Sequence, residues 1–184
     1  MMNPKRVLVP LAEGFEEIES VTVIDILRRA GAEIITAGLT AKSVTGSHRI
    51  TIIADVLLDE VKDQDFDLIV LPGGMPGATN LKADFRVQKI IQCHERAGKL
   101  VAAICAAPTV LAEAGILKDR KFTVHPSQVN NIRLSAQDSP VEVDRGVITG
   151  QAAGAAMKFA FTLVEKLYSR EKVREINRSV LFRE

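Results

Sequence analysis

The stretch LVAAICAAPTVL, residues 100–111, brings an apolar strand pattern directly up to a thiol. Five apolar residues precede Cys105, two alanines and Pro108 follow it, and a helical pattern of apolar residues comes next. This order predicts a buried strand over residues 100–104 and a helix over residues 108–114. Cys105 is therefore either a small core residue or a nucleophile held at a sharp turn between a strand and a helix.

The rest of the chain alternates strand patterns with helix patterns. The predicted strands cover residues 7–10, 33–38, 67–71, 122–125, 141–143 and 147–149. The predicted helices, besides the one after Cys105, cover residues 17–30, 84–97, 154–168 and 171–180. An alternation of apolar and polar residues predicts an antiparallel ribbon or an edge strand over residues 45–54. Strands separated by helices of this length indicate an α/β domain with a mostly parallel sheet and right-handed connections.

Ligands of such sheets bind beyond the carboxyl ends of the strands. Three loops are expected to converge there, over residues 12–17, 73–77 and 105–107. The second of these loops lies in PGGMPG, which has neither a P-loop lysine nor the GxGxxG spacing. A nucleotide site is therefore not predicted at this edge of the sheet.

Composition limits the class of protein. The chain has 184 residues, 47% of them hydrophobic, a net charge of +1 and no tryptophan. We expect one domain over residues 1–184, with no nucleic-acid surface indicated by charge or aromatic residues. No apolar run approaches the ~20 residues that span a bilayer, and the start MMNPKRVLVP has no cleavage site of a signal peptide. We therefore predict a cytoplasmic protein without a membrane partner.

The two cysteines and three histidines do not form a metal motif in the sequence. Cys93 and Cys105 are expected to be reduced thiols, because disulfides are rare in cytosolic proteins. Their spacing fits no zinc site, and His48, His94 and His125 are scattered along the chain. We predict no metal, and we assign Cys93 to a structural role.

A nucleophilic role for Cys105 has a physical basis in the predicted turn. A helix N-terminus favours the thiolate, and small residues after the thiol let the backbone approach a substrate. The backbone N–H of Ala106 and one from Gly73 or Gly74 could then hold a developing oxyanion. The alternative is that Cys105 is a buried structural cysteine, since cysteine is among the most buried residue types.

Three glutamates in the first turn of the first predicted helix form a second group. Glu16 and Glu17 are expected to complement the helix dipole. Glu19 lies beside the apolar helix face, and a carboxyl buried next to a thiol could share a proton with it as general acid or base. His125 follows a short predicted strand and either flanks the crevice or is a structural histidine.

Four segments together resemble the ThiJ/PfpI superfamily, in order and with few gaps from about residue 5 to about residue 181. They are AEGFEEIESVTVIDILRRAGAEI (12–34), DLIVLPGGMPGATNL (67–81), LVAAICAAPTVLAEAGIL (100–117) and FTVHP (122–126). The resemblance is closest to the ThiJ-like branch, which includes the parkinsonism-associated protein deglycase. It implies a flavodoxin-like three-layer sandwich of the class I glutamine amidotransferase type and a homodimer.

The resemblance also implies roles for particular residues. Cys105 would be an easily oxidised nucleophile paired with Glu19 as general acid or base, with His125 as an auxiliary group. The backbones of Gly74 and Ala106 would contact the oxyanion. The resemblance further implies that the substrate pocket is lined by Gly73, Arg29 and Arg49.

The implied activity is a cofactor-free glyoxalase reaction on methylglyoxal-type dicarbonyls, or a deglycase reaction on early glycation adducts of proteins. Both would protect the cell against carbonyl and oxidative stress. The alternative belongs to another functional class and is not primarily an enzyme. It is a redox-sensing chaperone whose Cys105 is oxidised to a sulfinate. The protease-like branch of the superfamily has a histidine directly after the nucleophile, where this chain has Ala106, so a peptidase is not supported. Relatives carry Arg-Gly-Pro-Gly where this chain has QAAG at 151–154, which puts the substrate preference in doubt.

Overall fold

A seven-stranded sheet with helices on both faces forms the body of the protein, and the computed structural model describes residues 4–183. The strands are β1 (Arg6–Leu11), β2 (Glu33–Gly38), β3 (Ser43–Thr45), β4 (Thr51–Ile53), β5 (Val56–Leu57), β6 (Leu68–Leu71), β7 (Leu100–Ile104), β8 (Val141–Asp144) and β9 (Val147–Gly150). The α-helices are α1 (Glu17–Arg29), α2 (Leu58–Val61), α3 (Gly77–Ala83), α4 (Phe85–Arg96), α5 (Pro108–Glu113), α6 (Ala156–Leu167) and α7 (Arg170–Val180).

The strand order is β5-β2-β1-β6-β7-β9-β8, and every pair is parallel except β8 with β9. Its central part, β2-β1-β6-β7-β9, is the flavodoxin-like order, in which the chain reverses direction across the sheet at β1 and β6. The predicted flavodoxin-like α/β fold is therefore confirmed. Strands β3 and β4 form the predicted antiparallel ribbon outside this sheet.

Two hydrophobic cores lie on opposite faces of the sheet. One joins the sheet to α1 and α6, and the other joins it to α3, α4 and α5. Strand β1 supplies alternate residues to the two, with Val7 and Val9 in the first core and Leu8 in the second. Because both faces are covered, the central strands are continuous apolar runs. This three-layer arrangement exposes the strand ends, where the loops after β1, β6 and β7 meet.

Several predicted elements differ in the structure. Residues 122–125 are not a strand, because Thr123 N–H donates to the Thr149 hydroxyl rather than to a neighbouring strand's backbone. The predicted helix over residues 154–168 begins at Ala156, after a 3₁₀ turn over Ala153–Ala155. The short elements β5, α2 and α3 were not predicted. Across residues 4–183, no helix has the length and apolar character needed to cross a membrane.

Candidate active site

Cys105 lies at the turn between β7 and α5, with a backbone φ of 63°. Few residues other than glycine adopt this left-handed conformation, and it is characteristic of functional turns. Hydrogen bonds on both sides fix the turn. Cys105 N–H donates to Gly150 O at 2.9 Å, and His125 N–H donates to Cys105 O at 2.8 Å. The thiol is partly exposed at the carboxyl end of the sheet.

Gly73 brings the thiol and a carboxyl together. Its N–H donates to Glu19 Oε2 at 2.9 Å. A Cβ at this glycine would lie 2.6 Å from Glu19 Oε2 and 2.7 Å from Cys105 Cβ. No side chain fits between these groups, so the loop after β6 needs glycine here.

Glu19 is fully buried, because the first turn of α1 packs against the loops after β6 and β7. Its Oε1 atom receives no hydrogen bond from an N–H or O–H group in the described part of the chain. The pKa of the carboxyl is raised to about 7, mainly by burial and also by the nearby charge of Glu16. Its contact with Cys105 and the N–H of Gly73 act in the opposite direction.

The pKa of the Cys105 thiol is raised from 9.0 to about 12. Burial is the largest cause, followed by the negative charge of Glu19 and the hydrogen bond with it. The backbone N–H groups of Ala106 and Gly74 point at the sulfur and lower the pKa, but by less. The amides near the start of the six-residue helix α5 favour the thiolate, but burial and the carboxylate raise the pKa of the thiol by more than these amides lower it.

Glu19 and Cys105 consequently titrate as a coupled pair. The pKa of each group is raised, that of the carboxyl to about 7 and that of the thiol to about 12, and the two steps belong to the pair. Between these values the pair holds one proton beside a buried, unbonded carboxylate oxygen. This arrangement can accept the thiol proton at the moment when the sulfur attacks.

His125 begins the 3₁₀ turn Pro126–Asn131, and its backbone adjoins Cys105. Its Nδ1 atom accepts from Ser127 N–H at 3.2 Å and lies 2.8 Å from the Ser127 hydroxyl. An Nδ1 atom that accepts a backbone N–H carries no proton of its own, so the neutral ring is an Nε2–H donor. The structure gives no side-chain hydrogen bond between His125 and the thiol.

Glu16 and Glu17 do more than complement the helix dipole. Glu16 caps α1, its Oε2 accepting Glu19 N–H at 2.7 Å. Glu17 is 5% exposed and accepts hydrogen bonds from the β3–β4 turn, including His48 N–H at 2.7 Å. The sequence does not predict this contact, because no local pattern shows that the ribbon folds back over the start of α1.

Arg29, one of the two arginines predicted to line the pocket, lies at the opposite end of α1 from Glu19. Arg29 pairs with Asp25 at 2.8 Å in the last turn of α1. Ten residues of helix separate it from Glu19, a distance of about 15 Å along the axis. Arg49 lies in the β3–β4 turn with φ 70° and is exposed. The Gln151 side chain, in place of a family arginine, donates to Asp138 Oδ1 at 2.9 Å.

Comparisons with known proteins identify close relatives of this chain. A model of the DJ-1/PfpI family matches residues 5–166. Protein DJ-1 homolog A of Arabidopsis thaliana is 40% identical over 179 residues, which make up 96% of this chain and 46% of that protein. This chain therefore spans about half the length of that relative.

Two further relatives match over nearly their full length. The crystal structure of Drosophila melanogaster DJ-1beta superposes with a TM-score of 0.95 at 36% identity, covering 99% of this chain and 100% of that one. A Caenorhabditis elegans protein named glutathione-independent glyoxalase DJR-1.2 is 35% identical over 173 residues, which are 92% of this chain and 91% of that protein.

Proposed function

The chain belongs to the DJ-1/PfpI family, and we propose that it is a cysteine-dependent glyoxalase that needs no cofactor. Its substrates would be small 1,2-dicarbonyls such as methylglyoxal, and its products 2-hydroxy acids. A relative named as a glutathione-independent glyoxalase supports this class of reaction. The role would be protection against reactive carbonyls.

The observation that carries the proposal is the buried contact between the Glu19 carboxyl and the Cys105 thiol across Gly73. A structural cysteine needs no ionisable group beside it, and burying an unpaired carboxyl is costly. Ionisable groups that have shifted pKa values and face each other at the carboxyl ends of parallel strands are typical of a catalytic site.

In the proposed reaction, the sulfur of Cys105 attacks the aldehyde carbon while the Glu19 carboxylate takes the thiol proton. The carbonyl oxygen becomes an alkoxide near the N–H groups of Gly74 and Ala106, and it is then protonated to give a hemithioacetal. Glu19 next moves a proton from the former aldehyde carbon to the former ketone carbon through an enediol. The resulting thioester is hydrolysed by water, which releases the hydroxy acid and restores the thiol.

His125 would assist as an auxiliary donor rather than as a base. Because its Nδ1 accepts from Ser127, the neutral ring offers Nε2–H, which suits a hydrogen bond to the ketone oxygen of the substrate. Its contribution is expected to be smaller than that of Glu19.

The test is lactate formation from methylglyoxal in amine-free buffer by wild type, Cys105→Ala and Glu19→Gln. We expect both variants to lose at least about 100-fold in kcat/KM, as expected for a nucleophile and a general base. Cys93→Ala removes the chain's other thiol and is expected to keep full activity. Absence of turnover by the wild type, or equal turnover by Cys105→Ala, would eliminate the glyoxalase proposal.

Deglycase activity on early glycation adducts would use the same thiol. Such adducts carry a hemiaminal or hemithioacetal at the former aldehyde carbon, and they release free dicarbonyl reversibly. Adding a scavenging glyoxalase in excess separates the two activities. Repair that continues at the same rate with the scavenger present indicates direct action on the adduct, and repair that is no faster than the scavenger alone indicates action on free dicarbonyl only.

A redox-sensing chaperone is the second candidate. The partial exposure of Cys105 supports it, since an oxidant can reach the sulfur. The raised pKa of the thiol argues against it, because the thiolate is the form that peroxide oxidises. Slow sulfinate formation by wild type at pH 7, measured by intact mass, is therefore expected.

We also propose that the chain forms a homodimer. Exposed apolar residues lie on the first half of α1 (Ile18, Val21) and on or beside β4 (Ile50, Ile53), which the bonds of Glu17 bring next to each other. Light scattering after gel filtration is expected to give twice the chain mass, and a monomer mass for Val21→Lys. A monomeric wild type would refute this proposal.

A further inference from the structure

The 3₁₀ turn that begins beside His125 carries a row of side-chain hydrogen bonds that ends on the imidazole. Asn131 Nδ2 donates to Gln128 Oε1 at 2.8 Å, and Gln128 Nε2 donates to Ser127 Oγ at 3.3 Å. Ser127 Oγ lies 2.8 Å from His125 Nδ1, and the Ser127 N–H donates to the same nitrogen at 3.2 Å. The polar side chains of this turn are therefore linked to the ring rather than left to solvent.

The direction of each bond in this row follows from its neighbours. A backbone N–H can only donate, so His125 Nδ1 is an acceptor. The Ser127 oxygen accepts the Gln128 amide, which leaves the hydroxyl hydrogen to be donated to the imidazole nitrogen. The Gln128 amide oxygen accepts from Asn131, which fixes the end of that amide that faces Ser127. Because hydrogen bonds that point the same way polarise one another, the row strengthens the donation to Nδ1.

The ring of His125 is consequently held in one tautomer. When the imidazole is neutral and Nδ1 accepts, the proton is on Nε2. Within residues 4–183, Nε2 makes no hydrogen bond, so this N–H is free for a ligand. The backbone of His125 is fixed to the turn of the nucleophile, because its N–H donates to Cys105 O at 2.8 Å.

We propose that Ser127 is a positioning residue for the reaction described above. It acts through His125, by holding the imidazole as an Nε2–H donor for the ketone oxygen of the substrate. Gln128 and Asn131 support it by orienting its hydroxyl. This inference rests on the proposed function, since such a donor matters only where an oxygen gains negative charge during a reaction.

A purely structural role is the alternative for the same contacts. The His125 side chain caps the 3₁₀ turn by accepting the Ser127 N–H, and this cap does not need the hydroxyl. Ser127→Ala keeps the N–H and removes only the hydroxyl, so it separates the two roles. Because Ser127 is exposed, the change leaves no cavity, and the urea midpoint is expected to stay close to that of wild type.

The first test is turnover of methylglyoxal by wild type, Ser127→Ala, Ser127→Thr and Ser135→Ala. Ser127→Ala is expected to lower kcat by about two- to tenfold, which corresponds to one hydrogen bond. KM should change little, because the ketone oxygen gains charge only during the reaction. Ser127→Thr keeps the hydroxyl and is expected to restore the rate. Ser135 is exposed in the following loop and makes no hydrogen bond to His125, so Ser135→Ala is the matched control and should turn over like wild type.

A double-mutant cycle tests whether Ser127 acts through the imidazole. In a His125→Ala background, Ser127→Ala should have no further effect on kcat. Nitrogen NMR of the imidazole, at a pH where the ring is neutral, reads the tautomer directly. Wild type is expected to carry the proton on Nε2, and Ser127→Ala is expected to show a larger share of Nδ1–H.

The inference is overturned if Ser127→Ala turns over like wild type, or if Ser135→Ala loses as much. It is also overturned if the loss is undiminished in the His125→Ala background, or if Ser127→Thr is as slow as Ser127→Ala. A neutral wild-type ring with its proton on Nδ1, or an unchanged tautomer in Ser127→Ala, would overturn it as well. These outcomes leave the glyoxalase activity standing, whereas absence of turnover by the wild type refutes the proposed function and removes this inference with it.

Discussion

Gly73 lies between the two reactive groups of the site, and its lack of a side chain decides how closely they approach. The thiol of Cys105 and the carboxyl of Glu19 approach each other only because no Cβ separates them. The same residue binds Glu19 Oε2 through its N–H. At this position, space and hydrogen bonding act together to hold a buried carboxyl against a nucleophile.

We predict that Gly73→Ala abolishes turnover while the chain still folds. A methyl group 2.6 Å from Glu19 Oε2 and 2.7 Å from Cys105 Cβ must push the two groups apart, and a displacement of about 1 Å can cost a hundredfold in rate. The measurement is kcat/KM for methylglyoxal beside the urea midpoint. Gly154→Ala, where the added Cβ meets nothing within 4 Å and the backbone is not in the left-handed region, controls for loss of a glycine. Full activity in Gly73→Ala would contradict the geometry.

The raised pKa of Glu19 makes stability depend on pH. The folded-state pKa of about 7 lies above the ordinary 4.5, so the protonated carboxyl favours folding below pH 4.5 and this contribution is lost as the pH rises through 7. Between these pH values, the free energy of unfolding of wild type should fall relative to Glu19→Gln by on the order of 3 kcal/mol. Urea unfolding of both proteins with EDTA at several pH values measures the difference. A constant difference between them would show that Glu19 titrates normally.

At the scale of elements, the contact between α1 and the β3–β4 ribbon depends on one carboxylate. Glu17 has a lowered pKa, because hydrogen bonds from the side chain and backbone of His48 outweigh the effect of burial. These bonds tie a small ribbon outside the main sheet to the helix that carries Glu19.

We predict that Glu17→Ala lowers the free energy of unfolding by about 1–3 kcal/mol, because it leaves the N–H groups of His48 and Ile50 without their acceptor. Glu17→Gln retains one acceptor oxygen and is expected to lose less. Glu13→Ala is the matched control, since exposed Glu13 accepts only long bonds, of 3.2 and 3.3 Å, from Thr45. Urea unfolding with EDTA measures all three. Equal losses in Glu13→Ala and Glu17→Ala would show that Glu17 does not anchor the ribbon.

At the scale of the whole molecule, the features that follow from local pattern were predictable. The continuous apolar runs of β6 and β7 indicate strands covered on both faces, and the loops that follow them meet at one edge. The pattern of these two strands is enough to predict that Cys105 and Gly73 lie close together. Placing Glu19 beside them also needs the apolar face of α1 and the family resemblance.

The features that the sequence could not predict depend on contacts between residues far apart in the chain, or on opposing contributions to a pKa. His48 meets Glu16 and Glu17 only because the ribbon folds over α1. The direction of the Cys105 pKa depends on whether burial or backbone N–H groups dominate, and no sequence pattern ranks them. Residues 122–125 have the apolar pattern of a strand, but the N–H of Thr123 donates to the Thr149 side chain instead of to the backbone of a neighbouring strand.

The central claim is that Cys105 reacts through Glu19 rather than as a free thiolate. The most direct measurement is the rate of Cys105 alkylation by iodoacetamide against pH, in the Cys93→Ala background with and without Glu19→Gln. With Glu19 present, the rate is predicted to rise through an inflection near pH 7, where the carboxylate forms. With glutamine, that inflection should be absent and the rate should stay low until the thiol itself ionises. The same profile in both proteins would contradict the account.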